Sequence, residues 1–217
     1  IESAYTKNNV FCAIGHVERF NPALTLMKAK ISEGAIGRPV QIKTQRVGPF
    51  PQRVLDVGVS LDLASHDIDI VHWVTGSDYA EMSWNISKPL RGEHEDMLLG
   101  SGQLGNGVLV SHEVNWITPT KSRVTAVLGE EGMLIADSLR AELRLFRNGL
   151  VGSEWGLFSS FRGVTEGEEI KYVVSVREPL LEEHESMAAE LVNPGSTNLA
   201  SLQDGLKVMK VIDGIRK

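Results

Sequence analysis

Residues 61–73, LDLASHDIDIVHW, bring two aspartates, a histidine and a tryptophan to helical spacing. At roughly 100° per residue, Asp62, His66, Asp69 and Trp73 fall within an arc of about 60°. Leu61, Leu63, Ala64, Ile68, Ile70, Val71 and Val74 cover most of the remaining surface, which predicts a largely buried helix. A polar stripe on such a helix is costly unless its groups are paired or open onto a cavity. An imidazole with a carboxylate one turn away on each side suits proton transfer, because a carboxylate stabilises the imidazolium and moves its pKa across neutral pH. The same stripe would also fit a satisfied core histidine that only ties this helix to a neighbour.

Several cations could serve the same site. Arg19 follows an apolar run, Val10 to Ile14, whose strand end is where α/β sheets place their ligands; an interdomain salt bridge is an equal reading. Arg46 and Arg53 flank the GPFP segment, Gly48 to Pro51, and Lys121 ends NWITPTK. Each could meet a phosphate or carboxylate, or could be ordinary surface charge.

The elements that must position these groups follow from punctuation and period. Ile1 to Lys7 reads as the tail of a helix closed by Asn8 and Asn9, and Val10 to Ile14 as a strand ending at Gly15. Pro22 opens a helix over Ala23 to Ser32, stopped at Gly34. A strand over Val40 to Val47 leads into the GPFP turn and then the Asp–His helix. From Tyr79 the pattern is strand-rich: Ala80 to Ser87, Asp96 to Leu104, Gly107 to Trp116, Ser122 to Gly129, Gly132 to Asp137, Glu142 to Arg147 and Ile170 to Val176. Short turns between successive strands predict antiparallel pairing. Helices over Pro179 to Val192 and Leu199 to Ile215 close the chain, separated by a loop at Asn193 to Asn198. The expected class is α+β: a large, mostly antiparallel open sheet with helices on one face.

Composition narrows the function. The 217 residues are 42% hydrophobic, enough to bury a sizeable core. A net charge of −6 argues against a nucleic-acid surface. No apolar run approaches the length of a membrane span, and no secretory signal is recognisable. The single cysteine, Cys12, reads as a small buried hydrophobe of an apolar strand; with no internal disulfide to form, it fits a cytoplasmic protein. His94, Glu95 and Asp96 are adjacent rather than helically spaced, so no metal site is expected. Gly100, Gly102 and Gly105 match G-x-G-x-x-G, but Asn106–Gly107 and the run Val108 to Val110 follow, which predicts a hairpin and not a phosphate cradle.

GHVERFNP (Gly15 to Pro22), EGAIGRPVQI (Glu33 to Ile42), the Asp62–His66–Asp69 helix, EVNWITPTK (Glu113 to Lys121) and GEEGMLIAD (Gly129 to Asp137) occur in this order along nearly the whole chain. Together they resemble the glucose–fructose oxidoreductase/inositol dehydrogenase (Gfo/Idh/MocA) family of NAD(P)-dependent dehydrogenases. RVGPFPQRVLDVGV and NWITPTK carry a narrower likeness, to nucleotide-sugar 3-dehydrogenases of the UDP-N-acetylglucosamine type. Ala64 stands where many members have glycine, a change a helix accepts.

The resemblance implies an oxidoreductase acting on a hydroxyl of a sugar or nucleotide sugar, with NAD or NADP as cofactor. His66 would be the acid–base residue, with Asp62 orienting it or holding a neighbouring hydroxyl. Arg19 and Pro22 would lie at the cofactor, and Arg46, Arg53, Asp69 and Lys121 at the substrate. The glycine fingerprint and the Glu-Lys-Pro motif of such enzymes do not occur in this sequence. Residues 1–14 would then be a remnant of an upstream Rossmann domain, and residues 15–217 a substrate-binding and oligomerisation domain, inactive by itself. The alternatives are a dehydrogenase of a free cyclitol or aldose, or a non-catalytic ligand-binding or oligomerisation module. Apolar residues on alternating positions (Leu98, Leu104, Val108, Val110, Val114, Val124, Ala126 and Leu128) predict a homodimer or homotetramer formed through the free sheet face.

Overall fold

The computed structural model describes residues 7, 11–51, 54, 56–90, 92–149, 166–175 and 177–215. Its frame is one eight-stranded sheet: β1 (Pro39–Val47), β2 (Tyr79–Ser87), β3 (Met97–Leu104), β4 (Leu109–Asn115), β5 (Ser122–Gly129), β6 (Gly132–Asp137), β7 (Glu142–Asn148) and β8 (Glu166–Tyr172). The spatial order is β2-β3-β4-β1-β5-β6-β7-β8. Among the described strands only β1 and β4 pair in parallel; the other neighbours are antiparallel, which for β3–β4, β5–β6 and β6–β7 follows from their short connecting turns. β1, first in sequence, thus lies in the middle of the sheet, and its C-terminal end projects Arg46 beneath the helices.

Helices α1 (Pro22–Ser32), α2 (Ser65–Thr75), α3 (Pro179–Val192) and α4 (Leu202–Ile215) complete the fold. Asn21 caps α1 by accepting from the Ala23 amide at 3.1 Å, with Pro22 in the first turn. Gly76, at φ 64°, ends α2 in the left-handed conformation that glycine adopts without strain. α4 starts at Leu202, not Leu199, because Ser201 and Asp204 form a reciprocal cap: Ser201 N donates to Asp204 at 2.8 Å and Asp204 N to Ser201 Oγ at 3.2 Å.

One continuous core lies between the helices and the sheet, with Leu24, Met27, Ile42, Ile70, Leu134, Leu143 and Leu145 fully buried. A second cluster joins Ile68, Leu98, Val114, Trp116, Val208 and Ile212 beneath α2 and α4.

Three expectations are corrected, and a fourth falls outside the described residues. The run ending at Ile14 forms no strand over its described residues: Ile14 makes a single isolated bridge to Ala200, because no sheet edge lies alongside, and Cys12 is only half-buried. The expected helix tail at Ile1 to Lys7 lies almost wholly outside the described residues, Lys7 alone being described and helical. The last strand is displaced from Ile170–Val176 to Glu166–Tyr172. Leu143 opposes Tyr172 near the start of β7, so the ladder has little left to pair with beyond that point. The expected apolar free face mixes two faces. Leu98, Leu104, Val108, Val110 and Val114 are buried beneath the helices. Val124, Ala126 and Leu128 point the other way, since Thr125 and Val127 are the β5 residues registered with inward-facing Thr44 and Ile42.

Candidate functional site

The Asp–His segment is not one uninterrupted α-helix. Ser60–Ala64 forms a π turn that feeds α2 at Ser65. Such turns insert a residue into the helical register and recur at functional sites. Glu95, from the β2–β3 connection, caps the turn by accepting from the Ser60 amide at 3.2 Å and from its hydroxyl. Glu95 thus serves as an anchor for this segment.

Asp62 and His66 line one cleft of about 370 Å³ together with Glu18, Arg46, Gly48, Pro49, Pro51, Leu63, Trp116, Lys121 and Arg123. Two stretches far apart in sequence, the GPFP turn and the end of NWITPTK, therefore meet the Asp–His segment at one site. A buried ionic cluster forms part of the cleft wall. Arg46 donates through Nε to Asp67 at 2.8 Å and through Nη1 to Glu18 at 2.7 Å, with all three side chains at most 7% exposed. Arg123 adds a 3.3 Å contact to Glu18. Burial opposes the Arg46 charge, but Asp67 and Glu18 outweigh it and raise its pKa. Burial likewise works against ionised Glu18, yet Arg46 and Arg123 hold its pKa down. Asp67 is pushed up by burial, which Arg46 only partly offsets.

The consequence for His66 is direct. Burial first, then the Arg46 charge, depresses its pKa to about 4, with Glu18 pulling the other way. The imidazole is therefore neutral at neutral pH and able to accept a proton. Its Nδ1 is buried without a hydrogen-bond partner, leaving Nε2 as the nitrogen available to the cleft.

The other expected residues divide. Lys121 is exposed on the cleft wall. Asp69 is absent from the cleft lining: it accepts a two-pronged bond from Arg19, at 2.8 Å from Nε and 2.6 Å from Nη2. Asp204 touches the same guanidinium at 3.4 Å. Pro22 opens α1 and lines a different depression with Phe20, Thr25 and Leu26. Arg53 lies outside the described residues. Gly100 and Gly102 sit within β3 and Gly105 in the turn after it, so the glycine match is a hairpin.

Sequence reasoning missed Glu18, Asp67 and His16. A signal existed: Arg46 alternates with Ile42 and Thr44 on the inward face of β1, and a cation there needs a buried anion. Among the described residues, no three His, Cys, Asp or Glu side chains are grouped to hold a metal ion, and no helix is long and apolar enough to cross a membrane.

Comparison with known proteins identifies the fold. The chain is 23% identical over 143 residues to UDP-N-acetylglucosamine 3-dehydrogenase of Acidithiobacillus ferrooxidans, covering 66% of this chain and 44% of that protein. It is 26% identical over 144 residues to scyllo-inositol 2-dehydrogenase (NAD(+)) of Bacillus subtilis, covering 62% and 42%. These sequence matches therefore span less than half the length of either relative. A solved structure of the A. ferrooxidans enzyme superposes with a TM-score of 0.82 at 19% identity, over 99% of this chain and 64% of that one. A levoglucosan dehydrogenase in complex with NADH and levoglucosan gives 0.79 at 18% identity, over 99% and 65%. The sequence model of the GFO/IDH/MocA C-terminal domain matches residues 24–135, just over half of the chain, and the chain belongs to that family.

Proposed function

We propose that this chain is the substrate-binding and oligomerisation part of an NAD(P)-dependent oxidoreductase that oxidises a hydroxyl of a sugar or nucleotide sugar. The observation that carries the reading is His66: a neutral imidazole on the wall of an open cleft, beside Asp62 and a π turn. His66 would take the substrate hydroxyl proton, while Asp62 orients the imidazole or holds an adjacent hydroxyl. NAD or NADP, when bound, supplies the hydride acceptor.

The described residues offer the dinucleotide no phosphate cradle, since the one glycine-rich match is a strand and its turn. The cofactor would be held mainly by residues outside this chain, with residues 1–14 as the end of that domain and the chain alone inactive. Arg19 would shape the cofactor edge while its charge is neutralised by Asp69, and Pro22 would fix the helix beside it.

Lys121 and the half-buried Arg123 favour an anionic substrate over a free cyclitol or aldose. Their placement matters in a chain of net charge −6, where only local cations can attract an anion. The intact enzyme should form NAD(P)H fastest with a UDP-linked sugar, more slowly or not at all with inositols and free aldoses. Equal rates with uncharged cyclitols would favour the runner-up, and no reduction with any of the three classes would sink the reading.

The oligomer is a further expectation. The sheet face away from the helices exposes Leu99 at 46%, Leu109 at 51% and Leu128 at 39%. A symmetric partner meeting this face would cover them. Light scattering should show a dimer or tetramer that Leu99→Glu with Leu109→Lys dissociates. A wild-type monomer at micromolar concentration would refute this.

A further inference from the structure

His16 is a buried residue to which the reading above gives no task. Both of its ring nitrogens are buried without a hydrogen-bond partner, as is Nδ1 of His66. The two rings meet edge to face, with centroids 6.3 Å apart at 81°. On its other side, His16 Nε2 lies 3.7 Å from Asp69 Oδ1. His16 is also fixed by its backbone: its amide donates to Ile14 O at 2.8 Å, and its carbonyl accepts from Arg19 N at 3.0 Å. Leaving a buried polar group unpaired is costly, so three such nitrogens in one cluster call for an explanation.

One arrangement of protons lets all three pair once the groups close to hydrogen-bond distance. Asp69 is anchored by Arg19 and can only accept as a carboxylate, so the facing Nε2 of His16 must carry the hydrogen. His16 is then bare at Nδ1 and can accept from His66 Nδ1–H. His66, carrying its hydrogen at Nδ1, presents a bare Nε2 to the cleft. The opposite tautomers would set a lone pair of His16 against the carboxylate. They would also give His66 a hydrogen at the very nitrogen that must accept one.

We propose that His16 is a positioning residue for His66, fixing its tautomer through an Asp69–His16–His66 chain so that Nε2 faces the cleft as a base. This rests on the reading of His66 as the proton acceptor. The present separations exceed hydrogen-bond length, and such contacts commonly tighten only when substrate is bound. On reaction, the substrate O–H bond breaks and its proton joins His66 Nε2. The resulting imidazolium then shares its Nδ1 proton with His16, whose Nε2–H is held by Asp69. No electron moves along the chain.

The surrounding charges suit this arrangement. Arg46, Glu18 and Arg123 act on His66, and Asp69, Arg19 and Asp204 act on His16. Burial lowers the His16 pKa, with Asp69 opposing and Arg19 assisting, so that ring rests neutral and free to accept.

Ring-nitrogen NMR of the chain near neutral pH should find His66 as the Nδ1–H tautomer and His16 as the Nε2–H tautomer. In the intact enzyme, His16→Phe should lower kcat by about tenfold or more with KM nearly unchanged, and shift the acid limb of the pH–rate profile. His16→Gln, whose amide can accept from His66 and donate to Asp69, should restore most of that loss. An Nε2–H tautomer at His66 would overturn the proposal, as would equal kcat values and pH profiles for the Phe and Gln variants. The tautomer is read without turnover, so it remains decisive even if His66→Ala shows that His66 is not the base.

Discussion

His66→Ala in the intact enzyme is expected to lower kcat by about 10²–10⁴, the range that a positioned general acid–base contributes, with cofactor affinity nearly unchanged. The basis is the pairing of access and charge state: His66 lines the cleft and has a pKa of about 4, so it stays unprotonated through the neutral range. The same depression makes His66 a source of acid sensitivity. An unfolded histidine takes up a proton near pH 6.5, whereas the folded ring resists until about 4. Between those values the unfolded state binds more protons, so this contribution to stability is present above the unfolded pKa and is lost as pH falls. His112 adds to the trend: it is buried between Thr44 and Tyr79, hydrogen-bonded to them at 2.7 and 2.9 Å, and burial lowers its pKa to about 3. Denaturant unfolding should therefore show a decline from about pH 7 to 5 that His66→Ala makes shallower. A variant that keeps wild-type kcat would remove His66 from the chemistry.

Arg46→Met is expected to destabilise the protein by about 3–5 kcal/mol, the usual consequence of removing one partner from a buried ionic cluster. Glu18 and Asp67 would be left facing each other beneath the cleft, with only Arg123 near Glu18. The Glu18 pKa would then rise above that of the unfolded chain, and the already raised Asp67 pKa would rise further. A group raised in this way favours folding below its unfolded pKa and loses that contribution as pH rises through the folded value. The deficit of Arg46→Met should therefore be largest near neutral pH and shrink on mild acidification. Urea denaturation at about pH 7 and 5 measures both; a midpoint unchanged at neutral pH would mean that the cluster does not carry the stability its geometry indicates.

Local rules in the sequence determined most of the elements. The Pro22 helix start, the 2-residue period of the strands and the glycine-bearing turns depend on neighbours a few positions apart, and the structure keeps them almost residue for residue. So was the hairpin at Gly105 to Gly107, because Asn-Gly between apolar runs admits few other conformations. Proximity of Asp62 to His66 was legible too, since one helical turn separates them whether that turn is α or π.

Tertiary structure decided the charges. Asp69 shares the nominal helix face of His66, yet a guanidinium 50 residues away claims it. Asp67, off that face, pairs with Arg46 because the centre of the sheet carries the end of β1 beneath α2. The pKa of His66 is likewise set by burial and by Arg46, Glu18, His16 and Arg123, which come from three separate stretches of chain. Helical period fixes which side chains share a face of one element, but the field at an imidazole depends on distances between elements, and those exist only once the sheet order has been chosen.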